Sequence, residues 1–210
     1  MKDPRIEKLA HNLLTYSIDL KENDNLLIEV LGEEGMPLAK ELMRQAEQMK
    51  ARPYFNIVNY ELLRIMLENA TEEQIKLYGK HDEARMKDMD AYIGIRATSN
   101  TSELSKIDSK IMNMYNKYYT VPVHFEERVK RTKWCILRYP NNSMAQMSKM
   151  TLEEFEDLLR EDYLDLGKTA FKSSFAFDYY MLYISCQYLK SNPKVFDEIH
   201  DRIKKWGNKS

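Results

Sequence analysis

Four histidines, His11, His81, His124 and His200, are the side chains best suited to hold a metal or pass a proton near neutral pH. A catalytic metal needs three or more ligands converging from fixed elements, usually His, Asp, Glu or Cys. These histidines stand far apart, no H-E-x-x-H occurs, and Glu198, His200 and Asp201 spread around a helix instead of facing one way. The expectation is solvated or locally hydrogen-bonded imidazoles and no metal site. Gly32-Glu33-Glu34-Gly35 has the glycine content of a phosphate-cradling loop. Its two glutamates would repel an anion, and neither the dinucleotide fingerprint nor the P-loop lysine is present. It reads as a glycine turn whose acids favour the dipole of the next helix. Arg128, Lys130, Arg131 and Lys133 precede Trp134, and Arg202, Lys204 and Lys205 precede Trp206. Basic residues interleaved with an aromatic can bind nucleic acid. Val129 and the Trp134 run, however, mark entry into a strand, and Ile203 with Trp206 the buried side of a helix. Both charge sets therefore read as solvated faces.

The elements that position these residues come from a chain of 210 residues, enough for one sizeable domain or two small ones. With 43% apolar and 31% charged residues it is globular, not disordered. A net charge of −1 supplies no global field for nucleic acid or anionic lipid, so neither is expected as a partner. Cys135 and Cys186 each sit in an apolar segment without a C-x-x-C, which indicates buried thiols in a reducing compartment. The opening Met1-Lys2-Asp3-Pro4 lacks the apolar stretch of a signal peptide, and the apolar run at Tyr179 to Cys186 is too short to span a bilayer. A cytoplasmic location is the expectation.

Asp3 and Pro4 open a helix with Ile6, Leu9, Ala10, Leu13 and Leu14 on one face. The apolar run Leu26 to Leu31 is a strand, and Leu38, Leu42, Met43, Ala46 and Met49 mark a second helix. Pro53 to Val58 is the next strand, then helical Leu62 to Leu67. A T-x-x-Q box at Thr71 to Gln74 starts a helix running to about Met89. Asp90 to Ala97 is another strand, and Ile107, Ile111, Met114, Tyr115 and Tyr118 recur at helical spacing. This alternation predicts an α/β fold: a mostly parallel sheet flanked by helices over residues 1–160, with a helical carboxy-terminal extension over 161–210. Within the extension, the segment Phe171 to Leu189 is apolar nearly all round and wants a covering surface. A final helix is signalled by Asn192, Pro193 and Gly207.

The stretch Lys133 to Asp157 ties the chain together. It reads as a buried strand at Trp134 to Leu137, a corner at Tyr139-Pro140, and two capping boxes, Ser143 to Gln146 and Thr151 to Glu154. On local chemistry this corner holds no strong nucleophile, base or metal cage. Its motif, Trp134, Tyr139, Pro140, Ala145, Gln146, Met150 and the acidic run Glu153 to Asp157, resembles the metal-dependent aminopeptidases of the aminopeptidase T and aminopeptidase S type. The opening Asp3 to Ala10, Leu14, Tyr16-Ser17 and the strand Leu26 to Glu29 agree. The resemblance covers about residues 3–160, fades across 161–191, and returns faintly in Asn192 to Trp206, which looks like the helix linking the family's two halves.

The resemblance implies an enzyme that removes amino-terminal residues from peptides with a pair of divalent metals of the zinc or cobalt class. In that family the ligands are Glu, His, Tyr and Asp residues of a carboxy-terminal half, which should begin near Ser210 here. No catalytic, cofactor-binding or metal-binding residue is therefore assigned to this chain. The implied role is that of an amino-terminal, non-catalytic domain that shapes access and assembly, in a homo-oligomer or beside a missing catalytic domain. Two readings compete with it. One is a non-enzymatic interaction module that oligomerises through the aromatic helix 171–189. The other is a small-molecule or nucleotide binder at the carboxyl ends of the parallel strands.

Overall fold

Among the described residues, the apolar runs fold as strands and the amphipathic segments as helices, in near-strict alternation. The computed structural model describes residues 3–157. Helix α1 (Pro4–Asn12) is capped by Asp3, whose carboxylate accepts from the Arg5 amide at 2.8 Å. It runs into a π-helical turn, Leu13–Ser17. Strand β1 (Asn25–Leu31) leads through the 3-10 turn Glu33–Gly35 into α2 (Met36–Gln48). Then come β2 (Arg52–Val58), α3 (Tyr60–Glu68), α4 (Glu72–Lys87), β3 (Ala91–Arg96) and α5 (Ser109–Tyr115). Helix α5 continues directly into a π-helix, Asn116–Val129, and β4 (Lys133–Arg138) and α6 (Asn142–Met147) follow.

The four strands form one parallel sheet in the order β2-β1-β3-β4. An all-parallel sheet needs helices on its faces, because each crossover carries one. The period-2 alternation of β1 sends Leu26, Ile28 and Val30 to one face, where Ala91, Ile93, Ile95 and Leu137 join them beneath α1 and α2. Ile28, Ile93, Leu14, Leu38 and Leu42 are fully buried there, each worth roughly 1.5–3 kcal/mol of transfer free energy. The opposite face packs Leu27 and Tyr92 against Met86 of α4, Met89 just after it, and Tyr119 and Val123 of the π-helix. A third cluster, Leu63, Leu67, Ala70 and Ile75, joins α3 to α4.

Two glycines set how closely these pieces approach. A Cβ on Gly79 would lie 1.9 Å from the Tyr118 carbonyl oxygen, so only glycine lets α4 lie against the π-helix at this distance. Gly32 has φ +98° and stands where a Cβ would meet the Ala97 carbonyl at 2.5 Å, which closes the end of β1 onto the end of β3.

Several expectations are corrected. The Trp134 run is an edge strand of the described sheet, not a buried one: among its residues only Leu137 is fully buried, because β1 and β3 take the centre. The sheet is less completely covered than expected at its other edge, where Phe55 and Ile57 of β2 are 61% and 55% exposed. Val129 ends the π-helix instead of entering a strand. Ser143 is not a cap: it lies inside α6, and Asn141 caps that helix by accepting from the Met144 amide at 3.0 Å. Asn141 is 1% exposed, and its amide also donates to the Ala97 and Thr98 carbonyls at 3.1 and 3.0 Å. It thus pins the corner to the end of β3, which a hydroxyl two positions later could not do. The second box is formed in full: Thr151 Oγ1 accepts from the Glu154 amide while Glu154 accepts from the Thr151 amide at 2.8 Å, opening a helix at 152–157. The Thr71 cap also forms, accepting from the Gln74 amide. The aromatic segment 171–189, the helix expected at Asn192 to Gly207, Cys186, His200 and the basic group at Arg202 to Lys205 lie outside the described residues.

Candidate functional site

A single carboxylate interrupts the apolar run of the central strand. Glu29 points to the same face as Leu27 and Leu31, is 6% exposed, and stands opposite Asn56 of β2 and Gly94 of β3. A charge in that position demands partners, since burying an unpaired carboxylate costs several kcal/mol. The neighbouring strands supply them. The Tyr92 hydroxyl and Arg96 Nη1 each donate to Glu29 Oε1 at 2.8 Å, and Asn56 Nδ2 donates to Oε2 at 3.3 Å. Gly94 makes this possible: a Cβ there would come within 3.0 Å of the Tyr92 ring edge and hydroxyl, so its absence leaves the path by which the phenol reaches Glu29. Burial opposes the Glu29 charge, but the Arg96 guanidinium and the Tyr92 hydroxyl outweigh it and hold the carboxyl down at about 2. Burial pushes the Tyr92 phenol well above its ordinary range, with Glu29 adding to the effect.

The π-helix roofs this cluster and adds two further polar side chains. His124 stands edge-on to the Tyr119 ring at 5.4 Å, and its Nδ1 is buried without a hydrogen-bond partner. Burial, reinforced by the Arg128 charge, lowers its pKa to about 4, so the imidazole is neutral at pH 7. Arg128, one turn further on, is 8% exposed. Its guanidinium lies over the Tyr92 ring at 4.9 Å and 5.9 Å from the Trp134 ring centroid, while Nε and Nη1 are buried with no acceptor. The stack is worth up to about 2 kcal/mol when desolvated, yet it engages the guanidinium face and leaves the in-plane N–H groups unsatisfied. Beside them Tyr119 stacks between Tyr78 and Tyr115, with centroids 5.0 and 4.7 Å apart, and donates to Asp82 at 2.9 Å.

The sequence-predicted residues disperse. His11 and His81 are exposed on α1 and α4, so of the described histidines only His124 joins the polar cluster. Glu33 and Glu34 are exposed at the start of α2, as the glycine-turn reading requires. Lys130 pairs with the exposed Glu126 at 2.5 Å, Arg131 reaches the buried Glu127 at 3.4 Å, and Lys133 pairs with Asp24. Arg128 departs from the solvated-face reading: the π-helix turns it inward, because four to five residues per turn bring positions 119, 123, 127 and 128 to the buried side. Glu29 and Arg96 were missed. The available signal was an acidic residue within a central-strand apolar run, which calls for a cation on the adjacent strand. Cys135 is a free thiol whose pKa burial pushes up to about 11.

Among the described residues no group of three or more His, Cys, Asp or Glu side chains is placed to hold a metal ion. Glu29 is committed to Arg96, Glu127 lies near Arg131 and Lys87, and His11 and His81 are exposed. These residues do not fit a metal pair. No described helix is long and apolar enough to cross a membrane.

The order β2-β1-β3-β4 reverses direction between β1 and β3, which is where open α/β sheets place ligands, at the carboxyl ends. A solved structure shares this fold. AmpT from Thermus thermophilus superposes with a TM-score of 0.51 at 17% identity, over 67% of this chain and 37% of its own. An alcohol dehydrogenase superfamily protein from Novosphingobium aromaticivorans (TM-score 0.31, 11% identity, 78% and 49% covered) matches more loosely. So does a putative NADPH:quinone reductase from Bacillus thuringiensis (0.30, 13%, 80% and 51%). This chain thus spans little more than a third of AmpT. No curated protein matches the sequence. The sequence pattern of the thermophilic metalloprotease (M29) family matches residues 2–164, which takes in every described strand and helix, and the chain belongs to that family.

Proposed function

We propose that this chain is the amino-terminal α/β domain of a metalloaminopeptidase, a non-catalytic part that shapes access to the active site and takes part in assembly. The family match over residues 2–164 carries this reading, and the AmpT-like fold supports it. In the complete enzyme a pair of divalent metals of the zinc or cobalt class activates water for removal of amino-terminal residues from peptides. The ligands for that pair belong to a carboxy-terminal half, and the described residues here serve as walls. The protein is cytoplasmic and works as a homo-oligomer or beside a catalytic domain. The 210-residue chain with added zinc or cobalt should release no leucine from a leucyl peptide. Metal-dependent release above a no-protein blank overturns the non-catalytic assignment.

The second reading, a self-associating interaction module, is favoured by one observation: Phe55 and Ile57 on β2, an edge strand of the described sheet, and Leu62 and Ile65 on the α3 helix that follows it are all exposed. Sedimentation equilibrium distinguishes the two, since a chain that stays monomeric at high concentration removes this module.

A further inference from the structure

Arg128 is the side chain that neither the fold nor the proposed function accounts for. It is buried, its Nε and Nη1 have no acceptor, and the aromatic rings it touches engage its face and not its N–H groups. Glu29 takes Arg96 and Tyr92, and Asp82 takes Arg85 and Tyr119. Glu127 has Arg131 at 3.4 Å and Lys87 at 3.9 Å to balance its charge, although its buried Oε2 makes no hydrogen bond. Counting Arg96 and Arg128 against Glu29, with His124 neutral, the cluster carries one uncompensated positive charge. Buried donors and charges in folded proteins are almost always met by a partner. The residue is delivered to this position by a 14-residue π-helix, a conformation that normally appears as single turns and often at functional sites. The neighbouring His124 Nδ1 is buried and unpartnered as well.

We propose that Arg128, with His124 beside it, forms a binding site for a small oxyanion of one negative charge, a carboxylate in type, between the π-helix and the β3–β4 face of the sheet. The anion accepts from the in-plane guanidinium N–H groups while Tyr92 and Trp134 hold the guanidinium plane. A charge-assisted bond in a water-poor setting makes the interaction strong for so small a ligand. The site is independent of any metal chemistry and of the peptidase reading.

Trp134 reports on it directly. The chain has two tryptophans, so Trp206→Phe leaves Trp134 as the sole indole emitter, and sodium formate is titrated at pH 7 against sodium chloride at equal ionic strength. The expected result is a saturable change in Trp134 emission, accompanied by a rise in Tm, with formate and not with chloride. Arg128→Gln should weaken the midpoint roughly tenfold or more. If that variant does not fold, Arg128→Lys, which keeps the charge but loses the planar fork, should still weaken it severalfold. Equal, non-saturating responses to both salts, or an unchanged midpoint in either folded variant, overturn the proposal. Saturation with inorganic phosphate but not formate overturns the carboxylate assignment.

Discussion

Replacing Glu29 by Gln keeps the side chain's size and removes its charge, leaving the partly buried Arg96 against a neutral amide. Lowering the Glu29 carboxyl from its ordinary 4.5 to about 2 corresponds to roughly 3 kcal/mol of folded-state stabilisation of the charged form. Because the folded value is depressed, that stability is complete above the unfolded value near 4.5 and is lost as the pH falls towards 2. Breaking one side of a buried ion pair typically costs about 3–5 kcal/mol, in agreement. At pH 7, Glu29→Gln should therefore lower the unfolding free energy by about 3 kcal/mol in urea titrations followed by circular dichroism, and the gap to wild type should shrink between pH 4.5 and 2. A double variant, Glu29→Leu with Arg96→Met, should cost less than the sum of its singles, since no lone charge is left behind. A loss below about 1 kcal/mol at pH 7, or a gap constant across the acid range, refutes the claim that this pair anchors the centre of the sheet.

His124→Gln acts in a different window. The folded imidazole titrates near 4 instead of 6.5, so wild type holds this contribution above 6.5 and loses it as the pH falls towards 4, against the charges of Arg128, Arg96 and Glu29 that face it. The variant's stability should be flatter across that interval in the same urea titrations. Asn141→Ala removes the cap of α6 and the two hydrogen bonds its amide donates to the carbonyls just after β3, and should cost about 2 kcal/mol. Ser143→Ala should cost less than about 0.5 kcal/mol because Ser143 caps nothing. Gly79→Ala drives a methyl into the Tyr118 backbone and should destabilise by about 3 kcal/mol, with altered tyrosine near-UV dichroism as the Tyr78–Tyr119 stack shifts.

Short-range chemistry accounts for what could be read from the residues in order. Apolar spacing and turn residues locate β1, β2 and β3 to within a residue or two. Asp3, Thr71 and Thr151 act as the caps their surroundings predict, because a cap bonds amides only two or three positions away. The alternation of strand and helix leads to a parallel sheet for the same reason: consecutive parallel strands need a crossover. The corner is where this reasoning misleads. Ser143 and Asn141 both satisfy local capping rules, and the choice falls to Asn141 because the Ala97 and Thr98 carbonyls, more than forty residues away, need its amide.

The polar cluster was out of reach for a related cause. Glu29, Tyr92, Arg96 and Arg128 are scattered over a hundred positions, and although an acid inside the β1 apolar run calls for a cation, nothing along the chain says that Arg96 supplies it or that Arg128 lies nearby. The order of residues was enough to establish the elements, several of their caps, the family and the parallel architecture, all of which depend on neighbours along the chain. Strand order, the edge position of β4, the inward turn of Arg128 and the burial of its unmatched charge depend on which surfaces meet after the chain closes. Only the folded sheet and the π-helix lying over it settle those, because desolvation and pairing are properties of the assembled interior.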